Sequence, residues 1–292
     1  MANDTTPRNF LIFRYLLTAS KAVQGDWIDD LNSPEDAENK RQILMCKILD
    51  TIEEATKEDD IRFWKEYGLP DGEYLFHVQR ITSVKIEQKF KKYSVQHEPS
   101  AWVAIDTAKN GQTIAIESGK QIAPSTIIKK LTSILQPYFK KKSLILQVNP
   151  LSRKGSFWKF VDANKEQISE VVFRISPPNM AGLTSALTRQ MSDFAGGTNA
   201  KESIIAIKSK RNSGLELNKS NRKLGGVVAQ VEGGAGEYSF KLKKSNKIQR
   251  PTDTQEIIVA APKMDSSTLP LDSGDPNTPI LEKLKNDHRL KS

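Results

Sequence analysis

Apolar residues recur with two periods along the chain, and the period predicts which segments are strands and which are helices. Residues 8–17 (RNFLIFRYLL) are apolar on both faces, which is typical of a central strand, and Arg14 within them then needs a partner or an exposed end. Residues 37–56 place their aliphatic side chains on one face at helical spacing. The acidic residues 58–60 predict the start of a second, short helix that contains Phe63, Trp64 and Tyr67.

The clearest local prediction is a β-hairpin. Residues 101–107 and 112–118 alternate apolar with polar or small residues, and Asn110-Gly111 between them suits a tight turn. Residues 74–81 and 84–90 are predicted to pair with each other as strands. Further helices are predicted at residues 124–139, 155–168 and 180–194. Further strands are predicted at residues 144–148, 171–176, 203–207, 227–231, 238–242 and 256–260, with a hairpin loop at 233–236.

Together these elements predict an α+β protein with a mixed, largely antiparallel sheet and packed helices. Composition divides the chain into an acidic, mostly helical N-terminal region (1–73), a basic α/β part (74–196), a basic β-rich part (197–262) and a flexible tail (263–292). The tail is rich in Ser, Thr, Pro and Asp, so it cannot bury enough apolar surface to offset its chain entropy, and we expect it to be disordered.

Charge is sorted by position along the sequence. Residues 1–75 carry a net charge of −7, residues 76–262 carry +16, and residues 263–292 are neutral. A strongly basic body attracts polyanions, and nucleic acid is the commonest polyanion in a cell. The acidic N-terminal region is either a solvated surface or a cover over the basic body that would make binding conditional.

The basic residues form clusters, one of which lies on a predicted strand. In residues 238–244, apolar side chains alternate with lysines, so Lys241 and Lys243 should share a polar face at a spacing of roughly 7 Å. Lysine outnumbers arginine in the clusters, which favours contact with the phosphate backbone of DNA or RNA over base recognition. The predicted nucleic-acid-binding residues are Lys91, Lys92, Lys140, Lys141, Lys142, Arg153, Lys154, Trp158, Lys208, Lys210, Arg211, Arg222, Lys223, Lys241, Lys243 and Lys244.

Trp158 is included because a helix over residues 155–168 would point it away from the face formed by Phe157 and Phe160. An exposed indole ring can stack on a base of a single strand. Phe157 and Phe160 are predicted to be core residues.

No catalytic motif is defensible from the sequence, but two alternative functions stay open. A metal-dependent nuclease or toxin effector would use Asp106 and Glu117, yet Lys120 follows Glu117 one residue too late for the usual Glu-x-Lys spacing. His77 as general base and Arg80 as phosphate ligand could form a metal-free ribonuclease pair. In a strand, however, positions 77 and 80 face opposite sides. The second alternative is a non-catalytic interaction module in a larger complex, whose basic face meets an acidic protein.

The single cysteine, Cys46, excludes an internal disulfide and a four-ligand cysteine zinc site, and it fits a reducing cytoplasm. The apolar residues 10–19 are interrupted by Arg14, so a buried strand is preferred to a signal peptide. We therefore expect a cytoplasmic protein with no cofactor or metal and no membrane segment. Its expected partners are nucleic acid, and a second protein or another copy of the chain.

The order of elements in residues 101–179 resembles that of an uncharacterised bacterial family of mobile-element and phage-defence proteins. The residues that carry the resemblance are the Phe157-Trp158-Lys159-Phe160 helix and the strand that ends in Pro177-Pro178-Asn179. The resemblance implies a setting in bacterial defence or on a mobile element, and it supplies no catalytic residues.

Overall fold

The computed structural model describes residues 8–19, 34–88, 91–108, 112–119, 121–175, 203–210, 213–243, 248–249 and 256–259. The strands are β1 Arg8–Ala19, β2 Ile61–Lys65, β3 Glu73–Arg80, β4 Thr82–Gln88, β5 Lys91–His97, β6 Ser100–Asp106, β7 Thr113–Glu117, β8 Leu144–Pro150, β9 Ile168–Ile175, β10 Ser203–Lys208, β11 Gly236–Leu242, β12 Ile248–Gln249 and β13 Glu256–Val259. The helices are α1 Pro34–Leu49, α2 Ile52–Ala55, α3 Pro124–Lys140, α4 Ser156–Ala163 and α5 Arg222–Gln230, and a π-helical turn covers Val231–Ala235. The predicted α+β fold with largely antiparallel sheets is confirmed.

The chain divides into two compact units, each built from separate stretches of sequence. Unit 1 contains residues 1–12, 38–138 and 256–292, and unit 2 contains residues 13–37 and 139–255. The division of the chain into four parts, which we expected from composition and charge, stays a prediction. The helix predicted at residues 180–194 and the tail at 263–292 lie outside the described residues.

Unit 1 is built on a sheet with the strand order β13-β1-β7-β6-β3-β2. The predicted hairpin is confirmed, because β6 pairs antiparallel with β7 in a register that places Val103 opposite Ile116. β1 lies between β13 and β7, which confirms the central strand expected from its apolar faces.

The short helix predicted after residues 58–60 is wrong, because residues 61–65 form strand β2 at the edge of this sheet. Ile61 and Phe63 are buried while Trp64 is exposed, which is the alternation of a strand. The hydroxyl of Thr56 accepts a hydrogen bond from the backbone N–H of Phe63 at 3.0 Å and so fixes the strand against the end of α2.

The predicted pairing of residues 74–81 with 84–90 is also wrong. β3 pairs with β2 on one side and β6 on the other, and β4 pairs with β5 in a separate two-stranded ribbon. Only Ile81 separates β3 from β4, which is shorter than the two-residue loop that the tightest common hairpins need.

Unit 2 contains a four-stranded antiparallel sheet with the order β10-β9-β11-β12, and β8 pairs separately with residues 13–19 of β1. Alternate residues of β9 and β11 are buried, and α4 and α5 contribute apolar side chains to the same core. We call the face of the sheet that carries these residues the inner face. The shared core consists of Phe157, Val161, Ile168, Val171, Phe173, Ile175, Leu224, Val227, Val228, Val231, Tyr238 and Phe240.

The strand predicted at residues 227–231 is wrong, because these residues belong to α5 and the π-helical turn. Asn221 caps α5 by accepting a hydrogen bond from the backbone N–H of Leu224 at 3.2 Å. Leu224, Val227, Val228 and Val231 lie at helical spacing and are all buried.

Two further predictions around this core need correction. Residues 233–236 form no hairpin loop, because they lie in the π-helical turn and at the start of β11. The helix predicted at residues 155–168 ends at Ala163, and Ile168 already begins β9.

The Glu232 carboxylate holds the start of α4 from 75 residues further along the chain. It accepts hydrogen bonds from the backbone N–H groups of Gly155 at 2.8 Å and Phe157 at 3.0 Å. These N–H groups have no partner within their own helix, so the carboxylate satisfies them and complements the positive end of the helix dipole.

The two residues after Glu232 are held by their carbonyl groups. Arg14 donates to the oxygen of Gly233 at 2.9 Å, and the side chain of Asn149 donates to the oxygen of Gly234 at 3.2 Å. Arg14 and Asn149 lie opposite each other in the β1–β8 pair. The expectation that Arg14 needs a partner is therefore confirmed.

Replacing Gly234 by alanine should lower the stability of the protein. Gly234 has a φ of +85°, and an added Cβ would lie 2.6 Å from the Cβ of Arg14. Backbone strain of this kind costs about 1–3 kcal/mol, so we expect the urea midpoint of Gly234→Ala to fall. Gly225→Ala is the control, since its Cβ would enter open space within α5 and should stabilise the helix by about 0.5–1 kcal/mol. Equal midpoints for the two variants would contradict the close approach of Gly234 to Arg14.

Candidate nucleic-acid interface

Four of the predicted lysines meet at one end of the four-stranded sheet, where β10 and β11 end and β9 begins. Lys208 pairs with Glu170 of β9 from one side, and Lys241 pairs with Glu170 from the other. Lys210 follows β10 and Lys243 follows β11. We call Glu170, Lys208, Lys210, Lys241 and Lys243 the lysine end of the sheet.

The Lys208, Glu170 and Lys241 side chains lie on the outer face of the sheet. Directly opposed residues point to the same side, and the neighbouring Val171 and Phe240 belong to the core on the inner face. The Lys208 side chain is 67% exposed and that of Glu170 is 22% exposed, with Nζ of Lys208 at 3.3 Å from Oε1 of Glu170. The row continues to Ile248 of β12, which is paired with Lys241 and exposed.

A β-bulge lies within the lysine end. Lys241 pairs with Glu170 but Leu242 pairs with Ile168, so Ser169 is the extra residue of β9. The Ser169 hydroxyl donates to the Lys241 carbonyl oxygen at 2.9 Å and fixes the bulge. Bulges are common beside functional sites because they redirect side chains.

The structure confirms the predicted apolar face of residues 238–244, since Tyr238 and Phe240 are buried. The regular spacing of the lysines does not hold. β11 ends at Leu242, and Lys243 lies in the following turn, where its backbone N–H donates to the Gln167 oxygen at 2.8 Å.

Two other predicted basic clusters lie at helix ends with opposite electrostatic consequences. Lys140 is in the last turn of α3, and Lys141 and Lys142 follow it, so these cations stabilise the negative end of the helix dipole. Arg222 and Lys223 are exposed in the first turn of α5, where the dipole disfavours cations. Helix stability therefore explains the first cluster but does not explain the second.

Arg153 and Lys154 are exposed in the loop before α4, whose first N–H groups are held by Glu232. The interpretation of Phe157 and Phe160 as core residues is confirmed, because Phe157 is buried and Phe160 stacks on Phe240 at 4.4 Å. Trp158 is partly buried, since its ring packs edge-on against Phe157 at 5.0 Å. Its stacking on a base stays a prediction.

For the remaining predicted residues, the structure describes no side chain. Arg211 and Lys244 lie outside the described residues. For Lys91 and Lys92 the structure describes the backbone alone, as part of β5.

The two carboxylates of the nuclease alternative lie apart and are engaged within the fold. Asp106 accepts a hydrogen bond from the Ala108 N–H at 2.8 Å, and Glu117 accepts one from the Trp102 N–H at 3.1 Å. Glu117 is buried and pairs with Arg8 at 3.5 Å. Asp106 pairs with Thr113 at the other end of β7, about 13 Å along the strand from Glu117. Lys120 lies outside the described residues. Within the described residues, no group of three or more His, Cys, Asp or Glu side chains could hold a metal ion.

Sequence reasoning missed Glu170, which lies between two of the predicted lysines, and Glu232, which caps α4. Glu170 interrupts the apolar residues of β9, and its outward position follows from the alternation of that strand. Glu232 gave no local signal, because the helix that it caps begins 76 residues before it.

Residues 109–262, which are 154 of the 292 residues, match a protein family described as "Domain of unknown function (DUF4747)". The match overlaps the segment whose element order resembled an uncharacterised family, and it includes the whole lysine end. No curated protein matches the chain, and no solved structure matches it. None of the helices in the described part of the chain has both the length and the apolarity to cross a membrane.

His77 generates a prediction about pH. Its ring contacts Trp102 at a centroid distance of 4.9 Å, and burial together with the charge of Arg8 lowers its pKa below 6.5. The unfolded chain therefore binds a proton more readily than the folded chain, so this contribution to stability is complete above pH 6.5 and is lost as pH falls through the folded-state pKa. We expect His77→Phe, which keeps an aromatic ring, to flatten the fall in melting temperature between about pH 7 and about pH 5.

The control for that measurement is Ile43→Val, a conservative exchange of a non-titratable side chain at an exposed position of unit 1, which should keep the wild-type slope. An unchanged slope in His77→Phe would show that other groups cause the acid destabilisation.

Proposed function

Since this chain belongs to the DUF4747 family, whose description assigns no function, we propose one from its own residues: unit 2 binds nucleic acid by contacting phosphates at the lysine end. The observation that carries the proposal is the pairing of β10 and β11 with β9. This pairing brings Lys208 and Lys241 onto one sheet face, with Lys210 and Lys243 at the same end.

The dimensions of the lysine end suit a phosphate backbone. Neighbouring strands lie about 4.8 Å apart, so Lys208 and Lys241 originate about 10 Å from each other, with one strand between them. Their flexible stems allow each ammonium group to find its own phosphate. Ile248, which is exposed on the outer face beside Lys241, adds aliphatic surface on which sugars or bases can rest.

The side-chain chemistry predicts the character of the binding. Ammonium groups contact phosphates as point charges and carry little base recognition, so we expect weak sequence preference and steep salt dependence. Arg222 and Lys223 are further candidates for phosphate contact, because their place at the positive end of α5 has no stabilising effect on the helix.

The proposed setting is bacterial phage defence in the cytoplasm. The resemblance of residues 101–179 supports the defence setting, and the single cysteine supports the compartment. Plating phage on bacteria with and without the gene tests the setting, and equal plaque counts would remove it.

Charge reversal at Lys241 and Lys243 should weaken nucleic-acid binding without unfolding the protein. We would measure fluorescence anisotropy with labelled single-stranded DNA, double-stranded DNA and RNA between about 50 mM and about 300 mM salt. The Lys241→Glu/Lys243→Glu variant should bind at least about tenfold more weakly at low salt, with a salt slope reduced by about 1.5. The matched control is Lys47→Glu/Lys57→Glu, which changes the net charge equally at exposed positions of unit 1.

Three outcomes would change the proposal. Equal losses in both double variants would show that net charge acts without a site at the lysine end. No binding by the wild-type protein at low salt would overturn the proposal and favour the interaction module, which co-purification of a partner would support. Cleavage of the probe, abolished by a chelator or by Asp106→Ala, would favour the nuclease.

A further inference from the structure

We propose that Glu170 sets the affinity of the lysine end and makes it selective for polymeric phosphate over single phosphate groups. This inference rests on the proposed function. It assigns a role to the one acidic member of the site, which no pattern in the sequence singled out.

The backbone of Glu170 is held by hydrogen-bonded strands on both sides. It lies in β9, which is hydrogen-bonded to β10 on one side and to β11 on the other. The bulge at Ser169 is tied by its side-chain hydrogen bond to Lys241 and by the hydrogen bond from the Ser209 N–H to the Ser169 oxygen. The backbone of Glu170 therefore keeps its place between the backbones of Lys208 and Lys241 when a ligand arrives.

The ion pair between Lys208 and Glu170 is exchangeable. The Lys208 side chain is 67% exposed, and a pair of this exposure contributes little to stability. An incoming phosphate can therefore draw the ammonium group away from the carboxylate. The phosphate then lies close to Glu170, whose 22% exposure leaves its charge only partly screened.

This arrangement penalises a ligand that makes a single contact. One phosphate on Lys208 replaces one ion pair with another and is repelled by Glu170. A chain of phosphates that also reaches Lys210, Lys241 and Lys243 gains further contacts against the same repulsion. The lysine end should therefore discriminate against inorganic phosphate and mononucleotides, which are abundant competitors in a cell.

The test is the isosteric variant Glu170→Gln. Anisotropy with a labelled oligonucleotide at about 50 mM salt should show binding about three- to tenfold tighter than wild type, with a difference that shrinks as salt rises. Inorganic phosphate should compete more effectively with the oligonucleotide on the variant than on the wild-type protein. Circular dichroism and the melting temperature check that the fold is unchanged.

Glu237→Gln is the matched control. Glu237 lies on the same outer face, pairs with Arg174 at 3.6 Å, and is four residues along β11 from Lys241, about 13 Å away. The Glu237→Gln substitution removes the same charge at a position outside the lysine end. At this separation it should change the affinity by less than about twofold.

Each outcome separates this inference from the proposed function. If Glu170→Gln binds no tighter than wild type, or if Glu237→Gln tightens binding equally, Glu170 does not have this role. The proposed function would still stand if Lys241→Glu/Lys243→Glu weakened binding. Absence of binding by both wild type and Glu170→Gln would overturn both proposals.

Discussion

The carboxylate of Glu232 is the group on which the arrangement of unit 2 depends most. Helix α4 begins with backbone N–H groups that no residue of the helix can satisfy, and two of them donate to this one side chain. A partner from a distant segment fixes the helix to that segment as well as capping it. Arg14 and Asn149 hold the next two carbonyl groups, so the same few residues also engage β1 and β8.

The start of β11, which follows this segment directly, also determines the arrangement of the lysine end. β11 begins at Gly236, where a Cβ would overlap the carbonyl oxygen of Arg174, so glycine permits the close pairing with β9. The resulting register places Lys241 opposite Glu170 five residues further along β11. A shift of one residue would turn Lys241 toward the core, because alternate residues of a strand face opposite sides. The charge pattern on the outer face thus depends on packing at the other end of the strand.

Local sequence patterns predict the secondary structure of elements with strong periodicity. They fail for elements whose conformation is determined by tertiary contacts. The hairpin of β6 and β7, the helix α3 and the central strand β1 follow from spacing and turn chemistry. Strand β2 was mistaken for a helix because its acidic start resembles a helix N-terminus, whereas pairing with β3 determines its conformation. Helix α5 was mistaken for a strand because its valines favour strands, although Asn221 caps it and its buried residues lie at helical spacing.

The candidate site shows the same limit. The sequence identified each lysine and the exposed face of β11, but the meeting of Lys208 with Lys241 depends on both strands pairing with β9, between residues that are 38 and 71 positions apart. No pattern within a window of a few residues contains that information, and the position of Glu170 between the lysines follows from it.

The position of β1 within its sheet also constrains how the protein is made. The strand spans Arg8–Ala19, yet its neighbours β7, β8 and β13 are translated about 100 to 250 residues later. At about 5–20 residues per second, the ribosome needs roughly 5–20 s to deliver even the first of them. Throughout that interval the apolar segment lacks the strands that pair with it in the folded protein, and transiently exposed segments of this kind promote aggregation and require chaperones. From the order of synthesis we therefore expect the yield of this protein to depend on chaperone supply and translation speed.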